Sequence, residues 1–144
     1  MVVTWKGIND AINAVYANNS QYPADAGFDL MAYMETNVVI GVGEQAMFST
    51  GVNFSFSEEC VGLILPRSSM NKRGIISRIG VIDSGYVNEQ CGIAVMLQNQ
   101  GDVTVKIHPL DKIAQLVVVP RFRFINGNVA AGERGSNGFG STGR

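Results

Sequence analysis

From about residue 26 onward the chain is a succession of short apolar runs broken by turn residues, and this cadence restricts the fold more than any single motif. The runs cover residues 37–40, 45–48, 52–56, 61–65, 75–82, 92–98, 103–107, 113–119 and 121–125, with Gly, Pro, Asn, Asp and Ser in the gaps. Many alternate. Val103, Val105 and Ile107 fall on one face of a strand, as do Phe122 and Phe124, with Arg121 and Arg123 opposite. Many closely spaced short strands, with no second helical pattern, predict an all-β fold: a sandwich or a jelly-roll-like β-barrel. The only helical spacing is near the start, where Ile8, Ile12, Val15 and Tyr16 recur with Asn9 or Asp10 as a cap.

The end of the chain obeys different rules. Six of the nineteen residues from 126 to 144 are glycine, in a segment with no apolar run. Glycine loses the most backbone entropy on ordering, and this segment has little apolar surface to offset the loss. Yet the stretch Arg134-Gly-Ser-Asn-Gly-Phe-Gly-Ser-Thr-Gly143 carries a guanidinium, an aromatic ring and paired hydroxyls. Those are the parts of a phosphate clamp with a stacking platform, whereas a plain glycine-rich end would be a solvated terminus. The expectation is one domain, a core over residues 1–125 and a flexible Gly-rich C-terminal arm over 126–144 that closes on a nucleotide.

Charge narrows the ligand. A formal net charge of -1 excludes bulk nucleic-acid binding, which needs a strongly basic face. Arg67, Lys72, Arg73 and Arg78 nevertheless lie in an acid-free stretch of twelve residues, which suits a small polyanion. Cys60 and Cys91 match no metal-ligand spacing and read as buried free thiols in a reducing compartment. The opening residues lack the pattern of a signal peptide, and no apolar run is long enough to span a membrane. A cytoplasmic protein is expected, or one in the host-cell cytoplasm if it is viral.

Familiar nucleotide motifs fail. Residues 41–46, Gly-Val-Gly-Glu-Gln-Ala, mimic a dinucleotide fingerprint, but the strand-like Met47-Phe48 follows where a helix is required. A plain turn is the better reading. There is no Walker A lysine motif and no zinc-deaminase signature. His108, the only histidine, precedes Pro109 and supports no Ser-His-Asp triad. A general base, if present, is therefore a carboxylate. Asp29 and Asp83 each sit inside an apolar run, where aspartate is disfavoured; either could equally be a turn residue satisfied by backbone amides. Pro66-Arg67-Ser68-Ser69 reads as a turn that sets a guanidinium beside two hydroxyls, an arrangement suited to phosphate oxygens.

Taken together, residues 26–32, 66–69, 80–89, 112–116 and 134–143 resemble, in order and spacing, the five motifs of the trimeric deoxyuridine triphosphatases (dUTPases). The resemblance runs from about residue 24 to 143. It departs from the family at Asn88 and Leu110, each standing where glycine is common, and in a longer, more helical opening.

The resemblance implies hydrolysis of dUTP to dUMP and pyrophosphate. It makes Asp83 the general base that holds a water in line with the α-phosphorus. Tyr86 would lie against the deoxyribose and leave no room for a 2′-hydroxyl. Ile79, Gly80, Val81 and Ile82 would offer backbone groups to the uracil edge, rejecting cytosine through unpaired donors and acceptors. Arg67, Ser68, Ser69 and Gln115 would hold the phosphates, with Mg²⁺ bridging phosphate oxygens and keeping several waters. Asp29 would orient phosphate-side groups or metal-bound water. The arm would close with Phe139 over the base, Arg134 on the γ-phosphate, and Gly140, Ser141 and Thr142 around it. The family resemblance also implies a homotrimer with shared sites. The related dCTP deaminases place a glutamate in the strand after the motif hairpin, but residues 91–98 contain no acid. A nucleotide-switched protein that regulates a partner is the remaining class.

Overall fold

Alternation along the strands builds the core. In the strand Cys60–Leu65, every second residue is buried, and Ala94–Asn99 keeps the same two-residue rhythm. A computed structural model of the chain describes residues 1–19 and 22–138. Its elements run β1 (Thr4–Gly7), α1 (Asp10–Ala17), β2 (Phe28–Met31), β3 (Val38–Ile40), β4 (Gln45–Ser49), β5 (Val52–Ser55), β6 (Cys60–Leu65), α2 (Ser68–Asn71), β7 (Ile75–Ser77), β8 (Gly80–Ile82), β9 (Ala94–Asn99), β10 (Val105–Ile107) and β11 (Lys112–Pro120).

All the described strand pairs are antiparallel. They form two-stranded β1-β5 and β10-β3 ribbons, a four-stranded β2-β11-β6-β8 sheet and a three-stranded β4-β9-β7 sheet. The inner faces share one apolar cluster, in which Leu30, Ile40, Ile75, Ile93, Leu97, Ile107 and Ile113 are almost wholly buried. Each such side chain contributes about 1.5–3 kcal/mol over an exposed one. The all-β, jelly-roll-like expectation holds. Within the chain, the described pairings form four sheets rather than one closed ring.

The helix near the start is real. The Asn9 side chain accepts the Ile12 N–H at 2.9 Å, and Ile12 and Tyr16 point inward. Tyr16 packs within ring-centroid distances of 5.7–6.1 Å of Trp5 and Phe28. Its hydroxyl donates to the Thr50 carbonyl at 2.7 Å and accepts the Met31 N–H at 3.1 Å. Burial pushes the phenol up to about 12, so the group is a neutral peg between α1 and the end of β2.

Several expectations need correction. Residues 4–7 form a strand ahead of the helix, paired with β5. The 75–82 run splits into β7 and β8, which join different sheets. The Arg67 turn continues into the one-turn helix α2, anchored by buried Met70. Residues 121–125 form no strand, because no neighbouring strand pairs with them, and Phe122 and Phe124 are 88% and 101% exposed. Val103 precedes β10 and is exposed, so only Val105 and Ile107 turn inward. Cys60 is buried as expected, whereas Cys91 is half-buried. The turn between β3 and β4 covers residues 41–44, and Gln45 and Ala46 already belong to β4. Among the described residues, no helix is long and apolar enough to cross a membrane.

Candidate active site

The phosphate-side residues converge through strand pairing. Gln115 of β11 lies opposite Asp29 of β2 on one side and Leu65 of β6 on the other. Arg67 follows β6 and turns back across this junction. Its Nε donates to Asp29 Oδ1 at 2.9 Å, and its Nη1 to Ser69 Oγ at 3.1 Å and the Lys112 carbonyl at 3.2 Å. Lys112 Nζ reaches Asp29 Oδ2 at 3.4 Å. The Gln115 amide donates to the Pro66 carbonyl at 2.9 Å. Only glycine fits at position 27 without displacing that amide, since a Cβ there would lie on the Gln115 side chain. One carboxylate thus balances two cations, leaving this corner net positive.

Lys112 was not singled out as a site residue by the sequence reading, although it opens the fourth motif. A register shift between Lys112 and Ala114 buries both Ile113 and Ala114 and breaks the simple alternation. That irregularity aims Lys112 at Asp29. Asp29 therefore orients Arg67 and Lys112 directly. Arg67, Ser69, Arg73, Leu110, Asp111 and Lys112 also line a shallow cavity. Leu110 holds φ at +66°, the left-handed region in which glycine is at ease.

The second group lies elsewhere. Strand β8 is the outer edge of its sheet and pairs with β6 on one side only, so alternate backbone groups face away from every described strand. Ile79 and Val81 are exposed and Ile82 is buried. Asp83, Ser84, Gly85 and Tyr86 form a turn in which the Tyr86 N–H donates to the Asp83 carbonyl at 3.2 Å and Gly85 sits at φ +83°. Asp83 is exposed, beside a cavity lined also by Val61, Val81, Arg121, Phe122 and Phe124.

One chain does not bring the two groups together. Ile82 pairs with Gly62, so Asp83 lies near the start of β6, whereas Arg67 lies beyond its end. The five residue-to-residue steps from Gly62 to Arg67 span about 17 Å at strand rise. Asp29 is farther still, on the opposite edge of the sheet.

Arg134 lies in a turn, with its Nε donating to the Asn137 carbonyl at 2.8 Å, and residues 121–137 are exposed. Phe139, Gly140, Ser141 and Thr142 fall outside the described residues. His108 is exposed; its N–H donates to Asp111 Oδ2 at 2.8 Å, and its Nδ1 lies 3.6 Å from the same oxygen.

A family model described as dUTPase matches residues 13–143. A deoxyuridine 5'-triphosphate nucleotidohydrolase of Laribacter hongkongensis is 38% identical over 130 residues, covering 85% of each chain. One of Methylobacillus flagellatus is 39% identical over 130 residues, covering 85% of this chain and 84% of its own. In fold, the chain superimposes with a TM-score of 0.80 on a variant Staphylococcus bacteriophage 80alpha dUTPase solved with dUpNHpp, at 23% identity and 99% coverage of both chains. An all-β fold with a cationic corner and an exposed edge hairpin thus meets the sequence comparisons at one conclusion. The chain belongs to the dUTPase family.

Proposed function

We propose that this protein hydrolyses dUTP to dUMP and pyrophosphate at sites completed between subunits of a homotrimer. The observation that carries the reading is the division of the motif residues into two separated halves. The Asp29–Arg67–Lys112 corner is built to hold a triphosphate, and the β8 edge with its Asp83 turn is built to present a base and a carboxylate. A triphosphate bound by Arg67 cannot also place its α-phosphorus at Asp83 of the same chain across about 17 Å of strand. Juxtaposing the corner of one copy with the hairpin of another removes that gap. The exposed side chains of Phe122, Phe124 and Ile125 and the unpartnered edge of β8 also suit burial in such an assembly.

In this reading the Asp83 carboxylate accepts a proton from a water aligned with the α-phosphorus. The water oxygen bonds to that phosphorus as the bridge to the β-phosphate breaks, and pyrophosphate leaves with the bridging oxygen. A positioned base contributes about 10²–10⁴-fold. Backbone groups from Ile79 to Ile82 read the uracil edge, and Tyr86 lies on the deoxyribose face where a 2′-hydroxyl would project. Arg67, Ser68, Ser69 and Gln115 hold the phosphates, with Asp29 and Lys112 keeping the guanidinium in place.

Among the described residues, no group of three or more His, Cys, Asp or Glu could hold a metal, and both Asp29 oxygens already face cations. In this reading the ion would be carried by phosphate oxygens and water. Bound with the triphosphate, Mg²⁺ supplies charge neutralisation at the phosphate oxygens. The core of residues 1–125 bears this machinery. The arm of residues 126–144 closes over it, with Phe139 stacked on the base and Arg134, Gly140, Ser141 and Thr142 on the phosphate side.

Incubation with dUTP and with dCTP, assayed for pyrophosphate and ammonia, tests the reading. Pyrophosphate from dUTP alone is the expected outcome. Ammonia from dCTP would indicate a deaminase, and neither product a binding protein.

A further inference from the structure

Very little ties the stretch that carries Tyr86 to the body of the protein. Its other hydrogen bonds are local. Asn88 Oδ1 accepts the Gln90 and Cys91 N–H groups at 3.1 and 3.2 Å, and the Asn88 carbonyl accepts the Gly92 N–H at 2.9 Å. Among the described residues, the only hydrogen bonds from residues 84–90 to another strand are two with Asn53 of β5. Asn53 Nδ2 donates to the Asn88 carbonyl at 2.9 Å, and the Asn88 N–H donates to Asn53 Oδ1 at 3.0 Å. A single side-chain amide therefore satisfies the N–H and C=O of one residue, as a neighbouring strand would.

Both ends of this clamp call for an explanation. Asparagine is disfavoured inside strands, yet Asn53 lies within β5 opposite Lys6, away from any turn. Asn88 stands where glycine is common in the family, and its own amide folds the 88–91 bend. Upstream of Tyr86, the chain is fixed by the Ile82–Gly62 pairing; downstream, the next tie to another strand is Asn53. Tyr86 is 47% exposed, so packing alone does not set its ring.

We infer that the Asn53–Asn88 clamp is a positioning device for Tyr86, making Asn53 a determinant of sugar selectivity that does not touch the substrate. The inference rests on the reading of Tyr86 as the deoxyribose-facing ring. With the clamp intact, the 83–88 segment is held at both ends and the ring stays where a 2′-hydroxyl would project. Without it, the downstream anchor retreats to the Cys91 carbonyl, which accepts the Gly51 N–H at 2.8 Å, and the lengthened free segment yields to a ribonucleotide.

The test compares kcat/KM for dUTP and UTP in the full-length protein and in Asn53→Ala, Asn53→Asp, Tyr86→Ala and the Asn53→Ala/Tyr86→Ala double variant. Loss of two hydrogen bonds in Asn53→Ala is expected to lower the dUTP:UTP preference by about three- to tenfold. The change should appear in KM, with kcat for dUTP within about twofold. Asn53→Asp keeps the acceptor for the Asn88 N–H and loses the donor, so its preference should fall in between. That variant also keeps the test open if Asn53→Ala folds poorly. The double variant should discriminate no worse than Tyr86→Ala. An unchanged preference in both Asn53 variants, with Tyr86→Ala impaired, overturns the clamp alone; so does full additivity in the double variant. An unchanged preference in Tyr86→Ala overturns the sugar-facing assignment and the inference with it.

Discussion

The two halves of the candidate site are built in opposite ways. The corner at Asp29, Arg67 and Lys112 is organised within one chain: three strands meet there, and the guanidinium makes three hydrogen bonds before any ligand arrives. The hairpin at Asp83 and Tyr86 lies on a sheet edge, exposed, with Phe122 and Phe124 beside it. Pre-organised cations reduce the ordering cost of gripping a flexible triphosphate. An open edge leaves backbone donors and acceptors free for a base and, in the proposed trimer, for closure by other subunits. On the proposed function, the contrast gives affinity to the corner, and chemistry and selectivity to the edge.

The largest expected effect is on the edge. Asp83→Asn should lower kcat by about 10²–10⁴-fold with little change in substrate affinity, because the amide keeps the shape but cannot accept the water's proton. Single-turnover kinetics and dUTP titration measure the two quantities separately. Near-normal turnover would remove Asp83 from the base role and the chemistry from the edge.

Truncation after Ile125 comes next. It should leave a folded protein, since residues 126–137 are exposed and the core cluster does not include them. Losing base stacking, worth about 1–3 kcal/mol, and a charge-assisted contact should lower kcat/KM by about 10²–10³-fold. A large drop in melting temperature would instead make the arm part of the fold.

The smallest effect sharpens the description of the corner. Leu110 borders it at φ +66°, a conformation that costs a leucine about 1–2 kcal/mol. Leu110→Gly should remove that strain, partly offset by greater freedom of the unfolded chain, and stabilise the protein by up to about 1 kcal/mol. Thermal or urea unfolding reads the change. A loss of stability would show that packing of the half-exposed side chain outweighs the strain.

What the sequence made legible follows from locality. Period-two patterns in β6 and β9 need only neighbouring residues to be read, and so does the Asn9 cap on α1. Arg67 and Asp29 were recognisable through the family motifs, but their direct ion pair spans 38 positions and becomes visible only through the pairing of β11 with both β2 and β6. Strand β1 has only four residues and an unremarkable pattern; β5 makes it a strand. Residues 121–125 teach the converse, since their Arg-Phe alternation is a good strand pattern with no strand partner among the described residues. Lys112 was hidden by a register shift, and Asn53 by the 35 positions that separate it from Asn88.

The division of the site between chains is tested most directly by complementation. Asp83→Asn and Arg67→Ala, each nearly inactive alone, are co-expressed in equal amounts, and the whole unseparated population of assemblies is assayed against dUTP. If each site takes Asp83 from one chain and Arg67 from another, random assembly in equal amounts leaves about a quarter of the sites with both residues intact. The account therefore predicts recovery of about a quarter of normal turnover in the equal mixture. If both residues served one site from the same chain, every site would carry one defect, and activity no higher than that of the separate variants would contradict the account.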